Sequence, residues 1–89
     1  MNRYEFIFIS AAEDKKLLQA VEELITSFEG KVDKKEEWGK KPFAYRMNNI
    51  TEGNYYVWSL QLNGAHLSDL KNKLNLEERI IRYLILKQD

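Results

Sequence analysis

The chain has 89 residues, 44% of them apolar and 12% aromatic, with 14 lysines and arginines against 14 aspartates and glutamates. This length predicts one domain over residues 1–89, and the apolar fraction supports a packed core and excludes a disordered chain. Formal neutrality counts against a grip on nucleic acid by bulk charge, so any such role must be local and shared with a partner, while the lack of cysteine removes disulfides and cysteine-ligated zinc.

Arg3 to Ile9 is dominated by β-branched and aromatic residues and predicts a strand, with Tyr4, Phe6 and Phe8 toward the core and Arg3, Glu5, Ile7 and Ile9 outward. Ser10 and Glu13 have the spacing of a capping box, which predicts a helix to about Glu29. Leu17, Val21, Leu24 and Phe28 form its apolar stripe, and Gly30 takes the C′ position. Lys31 to Met47 predicts a long strand interrupted near Gly39 and Pro42; the proline requires an edge position or a bulge there. Asn48 to Asn54 predicts a turn. Tyr55 to Leu62 alternates, with Tyr56, Trp58, Leu60 and Leu62 on one face and Tyr55, Val57, Ser59 and Gln61 on the other, and so predicts a half-buried strand closing a hairpin. Asn63-Gly64 opens a second helix, Ala65 to Leu74, and Glu78 to Lys87 predicts a last strand.

The order strand, helix, strand, strand, helix, strand is the ferredoxin-like split β-α-β pattern (βαββαβ), an α+β fold. Crossover handedness puts both helices on one face of a four-stranded antiparallel sheet. The other face stays open, with Ile7, Ile9, Val57, Leu84 and Leu86 on it, and an apolar patch of that kind points to a protein partner.

Catalytic chemistry finds no support. His66 is the only histidine and reads as a surface residue, and the paired glutamates 22–23, 36–37 and 77–78 point apart as solvated charges. There is no glycine-rich phosphate loop, no metal-ligand set and no site for a cofactor or small-molecule substrate. The N-terminus lacks a signal peptide's apolar segment and no apolar run would span a bilayer, so the chain reads as cytoplasmic, away from membranes. A base-stacking platform is disfavoured, because the first-strand aromatics fall on the core side. Two cation groups remain. The first and last strands, expected as neighbours at the sheet centre, bring Arg3 near the strand carrying Arg79, Arg82 and Lys87, while Lys40, Lys41 and Arg46 lie on the long strand. Such side chains position a protein on phosphates, or else pair with nearby acids, as Arg82 would with Glu5.

The chain resembles the family of the sixth protein of the bacterial small ribosomal subunit, protein S6, over nearly its whole length. The resemblance is carried by Tyr4-Glu5, by Gly30-Lys31-Val32, and by Trp38-Gly39-Lys40-Lys41-Pro42-Phe43-Ala44-Tyr45, its most specific segment. Gly53 before an aromatic strand follows, then Glu78, Arg82 and Lys87. It implies a ferredoxin-like fold and a structural, non-enzymatic role on the ribosome. It also implies binding to the central domain of small-subunit ribosomal RNA, on the platform, as a heterodimer with the basic ribosomal protein S18. Carried over residue by residue, it implies that Arg3, Tyr4, Arg79, Arg82 and Lys87 lie near RNA. Ile7, Ile9, Val57, Leu84 and Leu86 then belong to the partner surface, with Trp38, Lys40 and Tyr45 at its rim. Phe43 stands where the family has leucine, and the sequence lacks the long tail of many members.

Two other readings stay open beside it. One is a ferredoxin-like protein-protein adaptor without RNA contacts, using the same apolar face. The other is an acylphosphatase-like enzyme, which would need an arginine in the loop after the first strand, where Ser10 to Glu13 has none.

Overall fold

The structure, a computed structural model, describes residues 2–11, 13–47 and 50–88, with the backbone alone for 43–47 and 50–52. Its elements follow the predicted order: β1 (Asn2–Ser10), α1 (Lys15–Ser27), β2 (Lys31–Met47), β3 (Ile50–Leu62), α2 (Leu67–Asn75) and β4 (Ile80–Gln88). The strands form one antiparallel sheet in the order β2-β3-β1-β4, the ferredoxin-like arrangement expected. β4 does neighbour β1, but it is an edge strand and not a central one.

Period-two burial builds the core. Tyr4, Phe6 and Phe8 of β1 and Tyr56, Trp58, Leu60 and Leu62 of β3 are buried, and the helices cover this face with Leu17, Val21, Ile25, Leu70 and Leu74. Phe8 stands opposite Tyr56, and their rings stack with centroids 5.0 Å apart. Trp58 meets the Phe8 ring edge-on at 5.1 Å, a favoured aromatic geometry. Lys35 also lies on this side, its Nζ 5.2 Å from the Trp58 ring and 2.6 Å from Glu22 Oε1 of α1.

The ends of α1 differ from the expectation. Its N-cap is Asp14, whose Oδ1 accepts from the backbone N–H groups of Lys16 and Leu17 at 3.0 and 3.1 Å. Ser10 is no cap because it is still in β1, buried, and hydrogen-bonded to the Tyr56 hydroxyl. At the other end Glu29, not Gly30, takes the left-handed conformation, with φ 61°. The N–H of Glu29 donates to Thr26 O at 2.9 Å and that of Gly30 to Ile25 O at 3.0 Å, a Schellman closure shifted by one residue. Gly30 serves close packing instead: a Cβ there would lie 2.8 Å from Ile25 Cγ2 and 2.9 Å from Ile25 O.

β2 is an edge strand with bulges, as Pro42 required, but it runs continuously for 17 residues. Its register shifts between Val32 and Lys34, between Glu37 and Gly39, and between Pro42 and Met47, and Gly39 has φ 80° at the second. β3 begins at Ile50, so 50–54 are strand and not turn; Asn48 and Asn49 lie outside the described residues. Pairing of Lys41 with Gly53, Pro42 with Glu52 and Met47 with Ile50 carries a two-stranded arm past the end of β1. The second helix opens with a 3-10 turn, Gly64–His66, capped by Asn63 Oδ1 at 3.0 Å from Ala65 N. β4 starts at Ile80, two residues later than expected, because Glu77 to Ile80 is a tight turn with Ile80 N donating to Glu77 O at 3.2 Å.

Candidate nucleic-acid and partner interface

Cross-strand register assigns each candidate residue to a face. On the helix-free face, Ile7 stands between Val57 and Leu84, Ile9 between Tyr55 and Arg82, and Glu5 between Ser59 and Leu86. Ile9 and Val57 are only 8% exposed, closed over by their own neighbours although no helix covers them. Leu84 and Leu86 are 52% and 43% exposed, so the open apolar surface is displaced toward β4. Trp38, 53% exposed, lies across the sheet on β2, with its indole N–H 3.4 Å from Glu36 Oε2 and Lys41 Nζ 5.4 Å from its ring. Lys40 is exposed at the root of the arm, opposite Asn54, and lines a notch with Glu13, Glu37 and Tyr56. The side chains of Tyr45 and Arg46 lie outside the described residues.

The cations do not form one cluster. Arg3 is exposed on the open face, opposite Gln61 and Gln88. Beyond Gln61 in the same row stands Lys31, also exposed, which the sequence reading passed over. It is the β2–β3 register that carries Lys31 to within two strand spacings of Arg3, roughly 10 Å. Lys87 pairs with Tyr4 and so belongs to the helix side of the sheet, at its exposed end. Tyr4 itself is a core residue, 3% exposed.

Arg79 sits at the opposite end of the sheet, in the turn before β4. Its Nε and Nη2 donate to Glu77 Oε1 and Oε2 at 2.8 and 2.9 Å, its backbone N–H donates to Oε1 at 3.0 Å, and Asp14 Oδ2 lies 3.8 Å from Nη1. These bonds from the Arg79 side chain and backbone hold the Glu77 carboxyl at about 2 and push the guanidinium pKa up. Arg82 is exposed on the open face and lines a shallow hollow with Ile7, Ile9 and Leu84. Register does not set Arg82 opposite Glu5 as expected: Arg82 stands opposite Ile9 and Glu5 opposite Leu86, about 13 Å apart along the strands. Glu5 Oε2 instead accepts from Gln88 Nε2 at 3.4 Å.

His66 stacks on Phe28 with ring centroids 5.9 Å apart. Among the described residues no group of three or more His, Cys, Asp or Glu side chains is placed to hold a metal ion. Among the described residues no helix is long and apolar enough to cross a membrane.

The family model for ribosomal protein S6 matches residues 3–87 of this chain. The chain belongs to the ribosomal protein S6 family. It is 31% identical to the small ribosomal subunit protein bS6 of Fusobacterium nucleatum over the full length of both, and 34% identical to that of Rickettsia felis over all of this chain and 78% of the relative. The crystal structure of the S6 protein from Thermotoga maritima superposes with a TM-score of 0.89 at 30% identity, covering 98% of this chain and 87% of that one. Members of the S6 family are structural proteins of the small ribosomal subunit and not enzymes, which removes the acylphosphatase-like reading. The resemblance read from Trp38 to Tyr45 and its flanking landmarks therefore identified the family.

Proposed function

We propose that this S6 protein binds the central domain of small-subunit ribosomal RNA, on the platform, as a heterodimer with ribosomal protein S18. The observation that carries the reading is the open sheet face. It combines exposed Leu84 and Leu86, beside Ile7, with a polar, cationic row at one end, Lys31–Gln61–Arg3–Gln88. A helix-free apolar surface of this kind suits a protein partner, and amides with flanking cations suit phosphate and ribose oxygens. The net charge of zero gives the division of labour, since a basic partner supplies most of the phosphate neutralisation.

S18 packs on Ile7, Leu84 and Leu86, over the nearly closed Ile9 and Val57, with Trp38 and Tyr45 at the margin; Lys40, opposite Asn54 and beside Tyr56, stands on the helix side and is the weakest of the rim candidates. Arg3 and Lys87 reach phosphates at the sheet end, with Lys31 beside Arg3. Tyr4 acts from beneath by anchoring β1 in the core. Arg82 contributes where the partner surface meets the RNA. Arg79, chelated by Glu77, is the weakest of the RNA candidates.

The test is a titration of labelled central-domain RNA, with its primary binding protein present, by this chain alone, by S18 alone and by both. Cooperative binding only with both, weakened by Arg3→Ala and abolished by Leu84→Asp through loss of the heterodimer, is the expected result. Association of the two proteins with no contribution from Arg3 or Lys87 would favour the adaptor reading, and failure to associate would end the proposal.

A further inference from the structure

The two edges of the sheet are protected very differently. β2 has three register shifts, Pro42, and the charged run Lys34-Lys35-Glu36-Glu37 followed by Lys40-Lys41. These features keep an edge strand from pairing with another chain. β4 has one irregularity, opposite Ile9 and Ser10, and from Arg82 to Gln88 it runs in regular register with β1. That stretch, Arg-Tyr-Leu-Ile-Leu-Lys-Gln, contains no proline, glycine or acidic residue. Beside its free edge a groove of about 500 Å³ opens against α2, lined by Lys71, Leu74, Asn75 and Glu77. The Tyr83 hydroxyl crosses from β4 to α2, donating to Asn75 Oδ1 at 2.8 Å, so β4 is tied down and its outer edge held in place.

We propose that the free edge of β4 pairs antiparallel with the β4 edge of a second copy of this chain, about a two-fold axis at Ile85. Side-chain complementarity selects the register. In one continuous sheet, facing residues must lie on the same face, so only alternate registers are allowed. With Ile85 opposite itself, Leu84 faces Leu86 of the second copy, and this pair occurs twice by symmetry. Arg82 then faces Gln88, and Tyr83 faces Lys87, an ammonium beside an aromatic ring. The next allowed register, with Leu84 opposite itself, sets Arg82 against Leu86 and Lys87 against Ile81. The one on the other side, with Leu86 opposite itself, sets Leu84 against Gln88 and Ile85 against Lys87. Over the stretch from Arg82 to Gln88, only the register at Ile85 keeps charged and amide side chains from facing aliphatic ones. It covers the two exposed leucines of β4, Leu84 at 52% and Leu86 at 43% exposure.

A ladder seven residues long buries less than the roughly 1,200 Å² of a stable interface, so the dimer is weak and concentration-dependent. Leu84 and Leu86 also belong to the surface proposed for S18, so the second copy and S18 compete for them. The inference itself is tested on this chain alone and stands or falls separately from the ribosomal reading.

The first measurement is sedimentation velocity of the purified chain from micromolar to millimolar concentration. A shift from monomer to dimer is expected, with the midpoint raised about tenfold by Leu86→Lys. The second measurement fixes the register in a chain that has no native cysteine. A mixture of the Leu84→Cys and Leu86→Cys chains under mild oxidant forms an interchain disulfide. Each chain alone does not, because its own cysteines lie on a diagonal of roughly 7–8 Å, beyond disulfide reach. A chain that stays monomeric throughout, or disulfides that form as readily in the single variants as in the mixture, would overturn the proposal. So would protection of the outer β4 amides from hydrogen exchange that develops only when S18 is added, which would assign the edge to that partner.

Discussion

Arg3 and Lys87 lie at the same end of the sheet on neighbouring strands, yet on opposite faces: Arg3 pairs with Gln88 and Lys87 with Tyr4. A single residue of register separates the two arrangements, and it decides whether two cations form one patch or two. RNA that met both would have to wrap the sheet end and could not lie flat on one face.

That separation makes the two contacts independent. In titrations of the S18-bound chain at several salt concentrations, Arg3→Ala and Lys87→Ala should each reduce the salt-dependence slope by about one. The double variant should lose the sum of the two effects, since the side chains lie on opposite faces of the sheet. Coupling beyond about 0.5 kcal/mol would mean that one phosphate is shared.

Helix α1 depends on Asp14 and not on Ser10 for its start. Asp14→Ala removes the acceptor of two orphan N–H groups and should cost about 1 kcal/mol, lowering the melting temperature by roughly 4–8 °C. Asp14→Ser should retain most of the stability. Thermal unfolding followed by circular dichroism separates these outcomes.

The C-terminal end of the same helix gives a pair of opposite effects. Glu29 holds a left-handed backbone that disfavours side chains, so Glu29→Gly should stabilise by about 0.5–1 kcal/mol after the entropy lost by a more flexible unfolded chain. Gly30→Ala should destabilise by about 1–3 kcal/mol, because the new methyl meets Ile25 backbone and side chain inside 3.0 Å and Leu62 Cδ1 at 3.0 Å. Urea unfolding reads both. Stabilisation by Gly30→Ala would show that the helix end can open without cost.

Glu77 makes stability depend on acid. Its folded pKa, about 2, lies below the usual 4.5, so the unfolded chain binds more protons between those values. The contribution is fully present above pH 4.5 and is lost as pH falls through about 2. Comparing Glu77→Gln with the parent by urea unfolding at successive pH values should show a constant stability gap from neutral pH down to about 4.5. Below that the gap should narrow, and a gap that widened in acid would contradict the chelate with Arg79.

What the sequence determined by itself was everything with a local period. The alternation of Tyr4, Phe6 and Phe8 and of Tyr56 to Leu62 assigned the core face, and the spacing of Leu17 and Val21 oriented α1, although the structure buries Ile25 where the expected stripe had Leu24 and Phe28, which are only partly buried. Pro42 placed β2 at a bulged edge, and the Trp38 to Tyr45 segment carried the family. These signals arise within a few residues of chain, where backbone sterics and side-chain burial repeat at two or 3.6 positions. The tertiary structure decided what depends on pairing between distant segments. It set Lys31 in line with Arg3, turned Lys87 to the helix side, and parted Arg82 from Glu5. It also moved the helix cap to Asp14, because Ser10 was already held in β1 by pairing with Asn54. Register is fixed by long-range hydrogen bonding and core packing acting together, and a slip of one residue changes every face assignment along a strand.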